Sequence, residues 1–370
     1  MAGNKNQSVT GSHIPVLDGL RALAILLVIC FHFQQGHPPS LVGKIAVWGQ
    51  TGVDLFFVLS GFLITGILLD SKGSPRFLRN FYARRILRIF PLYYAALIAY
   101  YFVGPYLHMN AWTPWRKGIW YWFFLQNVFV TLPQDTVSGP GHFWSLAVEE
   151  HFYLVWPFVV MLASRNRLLK IAACAVGVSL LTRIIFIQYA ETFYFTLARL
   201  DGLAMGAALA IFARKQGDGL ARLVTPATVL LCTLGPALVM TQLFVSGQGL
   251  VVIQLVKSTL IDLAYACVMI IALEKRLGRH LGKLLSGRFL GSIGKYSYGM
   301  YVVHQFVLFE LGRAGIPYNP VGLAAAILLI WLAARLSWNL LEKPFLRMKR
   351  YFEYTPQSSA STLKSMVAVR

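Results

Sequence analysis

Apolar residues along this chain gather in ten long blocks that short polar segments separate. A helix needs roughly 20 predominantly apolar residues to cross a bilayer, and each block approaches or exceeds that length. The pattern therefore predicts an all-α protein, a polytopic transmembrane helical bundle of about ten spans. The predicted spans are 14–34, 52–69, 88–104, 145–163, 169–187, 195–213, 224–245, 254–273, 293–312 and 320–341. A further apolar stretch, 118–130, is too short to cross and is predicted to be interfacial or re-entrant.

Basic residues form clusters that follow every second predicted span, and the other loops are poor in Lys and Arg. Because cytoplasmic loops carry the excess of positive charge, this alternation places both termini in the cytoplasm. Counting 118–130 as a span would move the later clusters to the opposite side. We expect a cytoplasmic segment at 1–13, a membrane domain at 14–345 and a disordered cytoplasmic tail at 346–370.

Composition supports a membrane protein, with 57% hydrophobic residues and a mean hydropathy of +0.60. The net charge of +20 does not indicate a nucleic-acid partner, because the basic residues lie in short clusters between apolar spans. The expected surroundings are membrane lipids. No HExxH, P-loop, GxSxG or paired Cys/His spacing occurs, so we predict neither a metal site nor a zinc hydrolase, ATP-driven pump or serine hydrolase.

Two ionisable residues in the first span carry the strongest functional signal. Arg21 and His32 are eleven positions apart, which is about 16 Å and three turns of an α-helix, so they share one face at different depths. Charged groups are costly in hydrocarbon and usually face a bundle interior or a cavity. Asp18 is close enough to pair with Arg21. The alternative interpretation is a helix-start ion pair and a polar outer end.

The second span offers a carboxylate at the predicted depth of His32. Asp54 lies near the start of that span, and a carboxylate that orients an imidazole is the usual partner of a general base. The alternative is a carboxylate that faces the positive end of the helix dipole.

The start of the fourth span holds further acid and base candidates: His142, Glu149 and Glu150. Adjacent carboxylates cannot share one helix face, so we expect at most one of them to point inward. The alternative is an interfacial helix start that is rich in acids.

Four more candidates for substrate binding lie in other spans. Arg85 and Arg88 share a face where the third span leaves the cytoplasm, and guanidinium forks suit phosphates, although plain positive-inside anchoring would also explain them. Tyr298 and His304 lie in the ninth span, and for His304 a structural role is the alternative. Glu342 is interpreted as part of a helix stop.

Together these segments resemble the acyltransferase-3 family of bacterial membrane O-acyltransferases. The matching pieces are LDGLRA at 17–22 with His32, GVDLFFVLSGF at 52–62, RRILRIFP at 84–91, FWSLAVEE at 143–150 and SYGMY at 297–301. Their order and spacing run through the chain from residue 14 to about residue 345. Arg21, His32, Arg85 and Arg88 match functional positions of that family.

The resemblance implies transfer of an acyl group, usually acetyl, at a bacterial inner membrane. The implied donor is cytosolic acyl-CoA, a co-substrate and not a tightly bound cofactor. The implied acceptor is a hydroxyl of an extracytoplasmic glycan, a lipid-linked sugar or a similar molecule. We expect His32 to be the general base, with direct transfer and an acyl-enzyme intermediate both open. The rival hypothesis is a proton-coupled transporter or flippase for a polar solute, because buried His, Arg and Asp also form proton relays.

Overall fold

The computed structural model describes residues 14–35, 46–105, 115–129, 139–215, 219–244 and 248–354, and this part of the chain is helical without a strand. Ten long helices form the bundle, so the predicted all-α membrane bundle is confirmed. They are α1 Pro15–Gln34, α2 Gly52–Ser71, α3 Phe77–Ile98, α4 Trp144–Leu162, α5 Arg165–Ile185, α6 Leu200–Ala213, α7 Val224–Phe244, α8 Gln248–Leu273, α9 Arg288–Arg313 and α10 Pro320–Ser337. The predicted segment 1–13 and the end of the tail, 355–370, lie outside the described residues.

Short helical segments connect or extend these helices. The 3₁₀ segments are Val47–Thr51, Trp115–Phe123, Gly141–Phe143, Ala190–Tyr194, Thr196–Arg199, Ala221–Leu223 and Met348–Phe352; the short α-helices are Gln126–Phe129, Arg279–Leu285 and Lys343–Arg347; and π turns lie at Ala99–Val103 and Trp338–Glu342.

Nine of the helical stretches in the described part are long and apolar enough to cross a membrane. The remaining predicted span corresponds to α9, which is 26 residues long but less apolar. Its buried residues include Ser297, Tyr301 and His304. The polar face of α9 is thus turned into the bundle, which allows a less apolar helix to lie among membrane spans.

The third helix begins at Phe77, well before the predicted start of its span at residue 88. The apolar pattern identified only the part of this helix that is apolar enough to span a membrane. The arginine-rich segment before that part belongs to the same helix. Arg85 and Arg88 therefore lie on one rigid element that enters the apolar region.

The stretch 118–130 does not form a crossing helix, as predicted. Over its described residues it consists of the end of the 3₁₀ segment Trp115–Phe123 and the single turn Gln126–Phe129. Side chains of α3 hold it in place, since the hydroxyl of Tyr93 donates to the carbonyl of Tyr121 at 2.7 Å and that of Tyr94 to the carbonyl of Trp122 at 3.0 Å.

The beginning of the predicted tail is packed against α3, so disorder was the wrong expectation for 346–354. The side-chain amide of Asn80 donates to the carbonyl of Glu353 at 2.9 Å, and Arg84 donates to that of Phe352 at 3.3 Å. The guanidinium of Arg84 also lies 5.7 Å from the ring centre of Tyr354. Cationic side chains of α3 thus supply the partners that composition alone did not reveal.

Helix α1 packs against α9 and α2, and α2 packs in turn along α6. Glycines allow the closest approach between α2 and α6. A Cβ at Gly61 would collide with the backbone of Leu203, and a Cβ at Gly206 would collide with the backbone of Val58. The two helices are therefore joined by a reciprocal pair of glycine contacts, the small-residue packing that is typical of membrane helices.

This seam predicts a stability difference between two Gly→Ala substitutions. Gly61→Ala should lower the thermal unfolding temperature by several degrees, because the added methyl group forces α2 and α6 apart, a loss of about 1–3 kcal/mol. Gly177→Ala in α5 is the matched control, since a Cβ there meets nothing within 4 Å. Differential scanning fluorimetry of detergent-purified protein measures both. Equal unfolding temperatures for the two variants would contradict the seam.

Candidate active site

A cavity of about 220 Å³ lies among α1, α2, α3, α4 and α9, and three arginines enter it: Arg21, Arg85 and Arg88. Apolar side chains of α2 form one wall: Leu59, Leu63, Ile64 and Ile67. We call this space the arginine cavity. The predicted shared face of Arg85 and Arg88 is confirmed, and Arg21 of α1 faces the same space.

Three guanidinium groups line the arginine cavity, against the two carboxyl groups of Glu149 and Glu150. Arg21 donates to Asp18 at 2.9 Å, as predicted, and Arg88 donates to Glu342 at 3.3 Å. Arg85 instead lies against the rings of Phe81 and Tyr153, 5.9 Å from each ring centre. Its buried Nε has no hydrogen-bond partner within the described part of the chain. Like charges held together in a partly buried space favour the binding of an anion.

Glu342 is more than a helix stop, because its carboxylate is buried and bonded to Arg88. The guanidinium of Arg88 also lies 5.5 Å from the ring centre of Tyr298 and 5.4 Å from that of Trp338. Tyr298, predicted to bind substrate, lines the arginine cavity, and its hydroxyl donates to the carbonyl of Ile89 at 2.7 Å. Together these contacts fix the direction of Arg88.

Both carboxylates of the Glu149–Glu150 pair line the arginine cavity, so the expectation that only one would point inward is wrong. Adjacent positions differ by about 100° around a helix, and the cavity extends around enough of α4 to reach both. The hydroxyls of Ser60 and Tyr153, which bond to each other, line the cavity together with Glu149. One buried oxygen of Glu150 has no partner in the described part of the chain.

The three predicted histidines come together at the other end of α1. Nε2 of His304 lies 3.3 Å from Nδ1 of His32, and the ring centres of His142 and His304 are 4.7 Å apart. His32 and His142 line a second cavity of about 360 Å³, which we call the histidine cavity. His304 is fully buried behind them. Sequence reasoning had proposed each residue separately, and the fold joins them in one cluster.

Backbone partners determine which ring nitrogens carry hydrogen. A carbonyl can only accept, so His304 must donate from Nδ1 to the carbonyl of Tyr301, 2.6 Å away, which leaves its Nε2 as an acceptor. His32 likewise donates from Nδ1 to the carbonyl of Val28 at 2.9 Å, with Nε2 of His304 as a second acceptor. Nε2 of His32 is therefore the unprotonated atom, and no described residue bonds to it. This is the tautomer that a general base requires.

The arginine and histidine cavities meet at Val53 and Tyr301, which line both. The hydroxyl of Tyr301 donates to the carbonyl of His142 at 2.7 Å and lies 2.5 Å from the hydroxyl of Ser145. The expected alignment of Arg21 and His32 is thus realised, since each faces one of two adjoining spaces. Sequence reasoning did not identify Tyr301 as the residue at their junction.

Asp54 does not orient His32, and its predicted pairing is wrong. The carboxylate of Asp54 is bonded to Arg199, which is buried at the start of α6. A fully buried arginine needs a carboxylate more than a neutral imidazole does, so the ion pair takes precedence. Asp201 continues this network, bonding to Arg183 at 2.7 Å. The sequence signal for this buried ion network was the presence of two charged residues, Arg199 and Asp201, at the edge of an apolar span.

A family model described as an acyltransferase domain, acyltransferase-3, matches residues 14–338. The chain is similar to the peptidoglycan O-acetyltransferase OatA of Listeria monocytogenes, with 29% identity over 92% of this chain and 57% of that protein. It is also similar to the O-acetyltransferase OatA of Staphylococcus aureus, with 28% identity over 96% of this chain and 61% of that protein. The chain thus spans less than two thirds of these relatives' length. No solved structure matches it.

The Asp54–Arg199 pair predicts a pattern of stability changes that an orienting role for Asp54 would not produce. Asp54→Asn and Arg199→Met should each lower the free energy of unfolding by about 3–5 kcal/mol, because each leaves a buried charge without its partner. The double variant should lose less than the sum of the two. Chemical unfolding in detergent measures all three. If Asp54→Asn unfolded like the wild type and lost only activity, the structural assignment would be wrong.

Proposed function

The chain belongs to the acyltransferase-3 family, and we propose that it transfers an acetyl group from acetyl-CoA to a hydroxyl of a cell-wall glycan. One observation carries the proposal: a cavity with three arginines adjoins a cavity in which His32 presents an unprotonated Nε2. The predicted topology puts the arginines towards the cytoplasm and His32 towards the exterior. A donor and an acceptor can then meet from opposite sides of the membrane.

The arginine cavity suits the donor in two respects. Arginine forks bind phosphates through charge-assisted hydrogen bonds, and coenzyme A carries several phosphates. The apolar wall of α2 suits the narrow pantetheine arm, whereas the nucleotide would remain at the mouth of a cavity of about 220 Å³. In this arrangement Arg21, Arg85 and Arg88 hold phosphates, and the thioester reaches the junction at Tyr301.

The histidine cavity suits the acceptor and the proton transfer. As the acceptor oxygen attacks the thioester carbonyl, Nε2 of His32 takes the hydroxyl proton, a contribution of typically about 10²–10⁴ in rate. The imidazolium that forms keeps its Nδ1–H between the Val28 carbonyl and Nε2 of His304. When the C–S bond breaks, the departing thiolate takes the proton that Nε2 of His32 received from the acceptor hydroxyl. The products are the ester and free coenzyme A.

The glycan acceptor is supported by the relatives, one of which is named a peptidoglycan O-acetyltransferase. The bundle itself supplies a reason for direct transfer, because the two cavities adjoin within one domain. Glu149 and Glu150 lie on the donor side of the junction, in the same lining as Arg85.

Removing the proposed base should abolish turnover without unfolding the protein. His32→Ala should lower the rate of acetyl transfer from acetyl-CoA by about 10²-fold or more, because no other ring nitrogen in the cluster is free to accept a proton. His280→Ala, at an exposed histidine of the short helix Arg279–Leu285, is the matched control. Acetyl transfer to peptidoglycan fragments and the unfolding temperature are measured together. Wild-type turnover in His32→Ala would refute the assignment.

The donor assignment predicts a dependence on the phosphates of coenzyme A. Arg85→Gln should raise the KM for acetyl-CoA about 10- to 100-fold, because one hydrogen bond to a charged group is worth about 1.5–3 kcal/mol. The KM for acetyl-pantetheine, which lacks the nucleotide, should stay within twofold of the wild type. Arg350→Gln, at an exposed arginine, is the control. An equal rise in the KM for both donors would show that Arg85 does not bind the phosphates.

A further inference from the structure

A third cavity, of about 540 Å³, lies beside the histidine cavity and has no part in the reaction described above. It is bounded by the start of α2, the segment after α5, and α8. Gln50, Phe193 and Tyr194 line both this cavity and the histidine cavity. The two spaces are therefore neighbours that share these three lining residues, and the third cavity lies next to any molecule bound at His32.

The lining of the third cavity combines aromatic rings and neutral hydrogen-bonding groups with three charged residues, Asp54, Arg183 and Lys257. The rings belong to Phe186, Tyr189, Phe193 and Tyr194, and the polar groups to Gln50, Gln188, Thr51, Thr192 and Ser258. A pyranose presents an apolar C–H face and a rim of hydroxyl groups, so it needs both kinds of partner at once. A small number of placed polar groups among aromatic side chains is the usual composition of a small-molecule site.

The wall of this cavity is held by the buried ion network. Asp54 and Arg183 line it, and they are fixed by Arg199 and Asp201 behind them. The guanidinium of Arg199 lies 4.7 Å from the ring centre of Phe193, one of the shared residues. A site whose side chains are fixed by a second layer of charged partners loses little entropy when a ligand binds. This gives Asp54 a role in the acceptor region that does not require contact with His32.

The cavity also has an accessible edge. Tyr189 is 52% exposed, and Gln188 beside it is exposed as well. Both lie in the segment that follows α5, away from the arginine cavity. A polar ligand can thus enter from this edge without passing the donor site.

We infer that the third cavity is an acceptor subsite that binds the sugar next to the one being acetylated, so that a glycan chain lies across both cavities. This inference rests on the proposed function, because it assumes that the acceptor occupies the histidine cavity. The enzyme would then select oligosaccharides over single sugars, with Tyr189 stacking on the neighbouring sugar ring. The chemistry at His32 would be the same for either acceptor.

The test compares acceptors of different length. N-acetylmuramic acid and a peptidoglycan-derived tetrasaccharide serve as acceptors for the purified full chain, with acetyl-CoA as donor. In the wild type, the KM for the tetrasaccharide should be about tenfold or more below that for the single sugar. In Tyr189→Ala this advantage should fall to about twofold, while the KM for the single sugar should change by less than twofold. Tyr351→Ala, a 65% exposed tyrosine in the segment Met348–Phe352, is the matched control.

Two results would overturn the subsite: equal KM values for both acceptors in the wild type, or an unchanged length preference in Tyr189→Ala. Gln188→Ala provides a second variant should Tyr189→Ala fail to fold. A failure of the proposed function has a different signature, which is the absence of acetyl transfer to either acceptor. In that event, binding of the two saccharides by saturation-transfer NMR tests the subsite directly. If the wild type binds the tetrasaccharide more tightly than the single sugar and Tyr189→Ala loses this difference, the subsite is supported. If the wild type binds both saccharides equally, the subsite is overturned.

Discussion

The cost of placing charge in an apolar bundle governs the arrangement of the whole molecule. Each ionisable side chain within the helices needs either an opposite charge or access to a polar space. Arg199 and Arg183 have the first solution, in buried bonds to Asp54 and Asp201. Arg85 and His32 have the second, since each lines a cavity. The same constraint that makes these residues rare in membrane helices also separates those that hold the structure together from those that remain available for substrates.

Helical periodicity correctly predicted which side chains share one face of the same helix. The common face of Arg21 and His32, the pairing of Arg21 with Asp18, and the shared direction of Arg85 and Arg88 all follow from a rise and a turn angle. The non-spanning nature of 118–130 followed from length alone. The fold class and the number of long helices were equally predictable, because hydropathy distinguishes segments that lie in the membrane from segments that lie in water.

Contacts between helices were not predictable by the same reasoning. Asp54 meets Arg199 across 145 positions of sequence, and Arg88 meets Glu342 across 254. Nothing local distinguishes these carboxylates from ones that cap a helix or orient a base. The cluster of His32, His142 and His304 is similar, because its members come from three separate parts of the chain. Periodicity supplied the candidates, whereas tertiary packing determined which of them became neighbours.

The glycine seam between α2 and α6 has a mechanical consequence. Because each helix presents a glycine to the backbone of the other, the two can neither slide nor rotate independently without steric collision. Helix α2 supplies the apolar wall of the arginine cavity, so the glycine contacts with α6 hold that wall in position. Any widening that admits a bulky molecule must therefore come from the side formed by α3, whose first turns are bonded to the 348–354 segment.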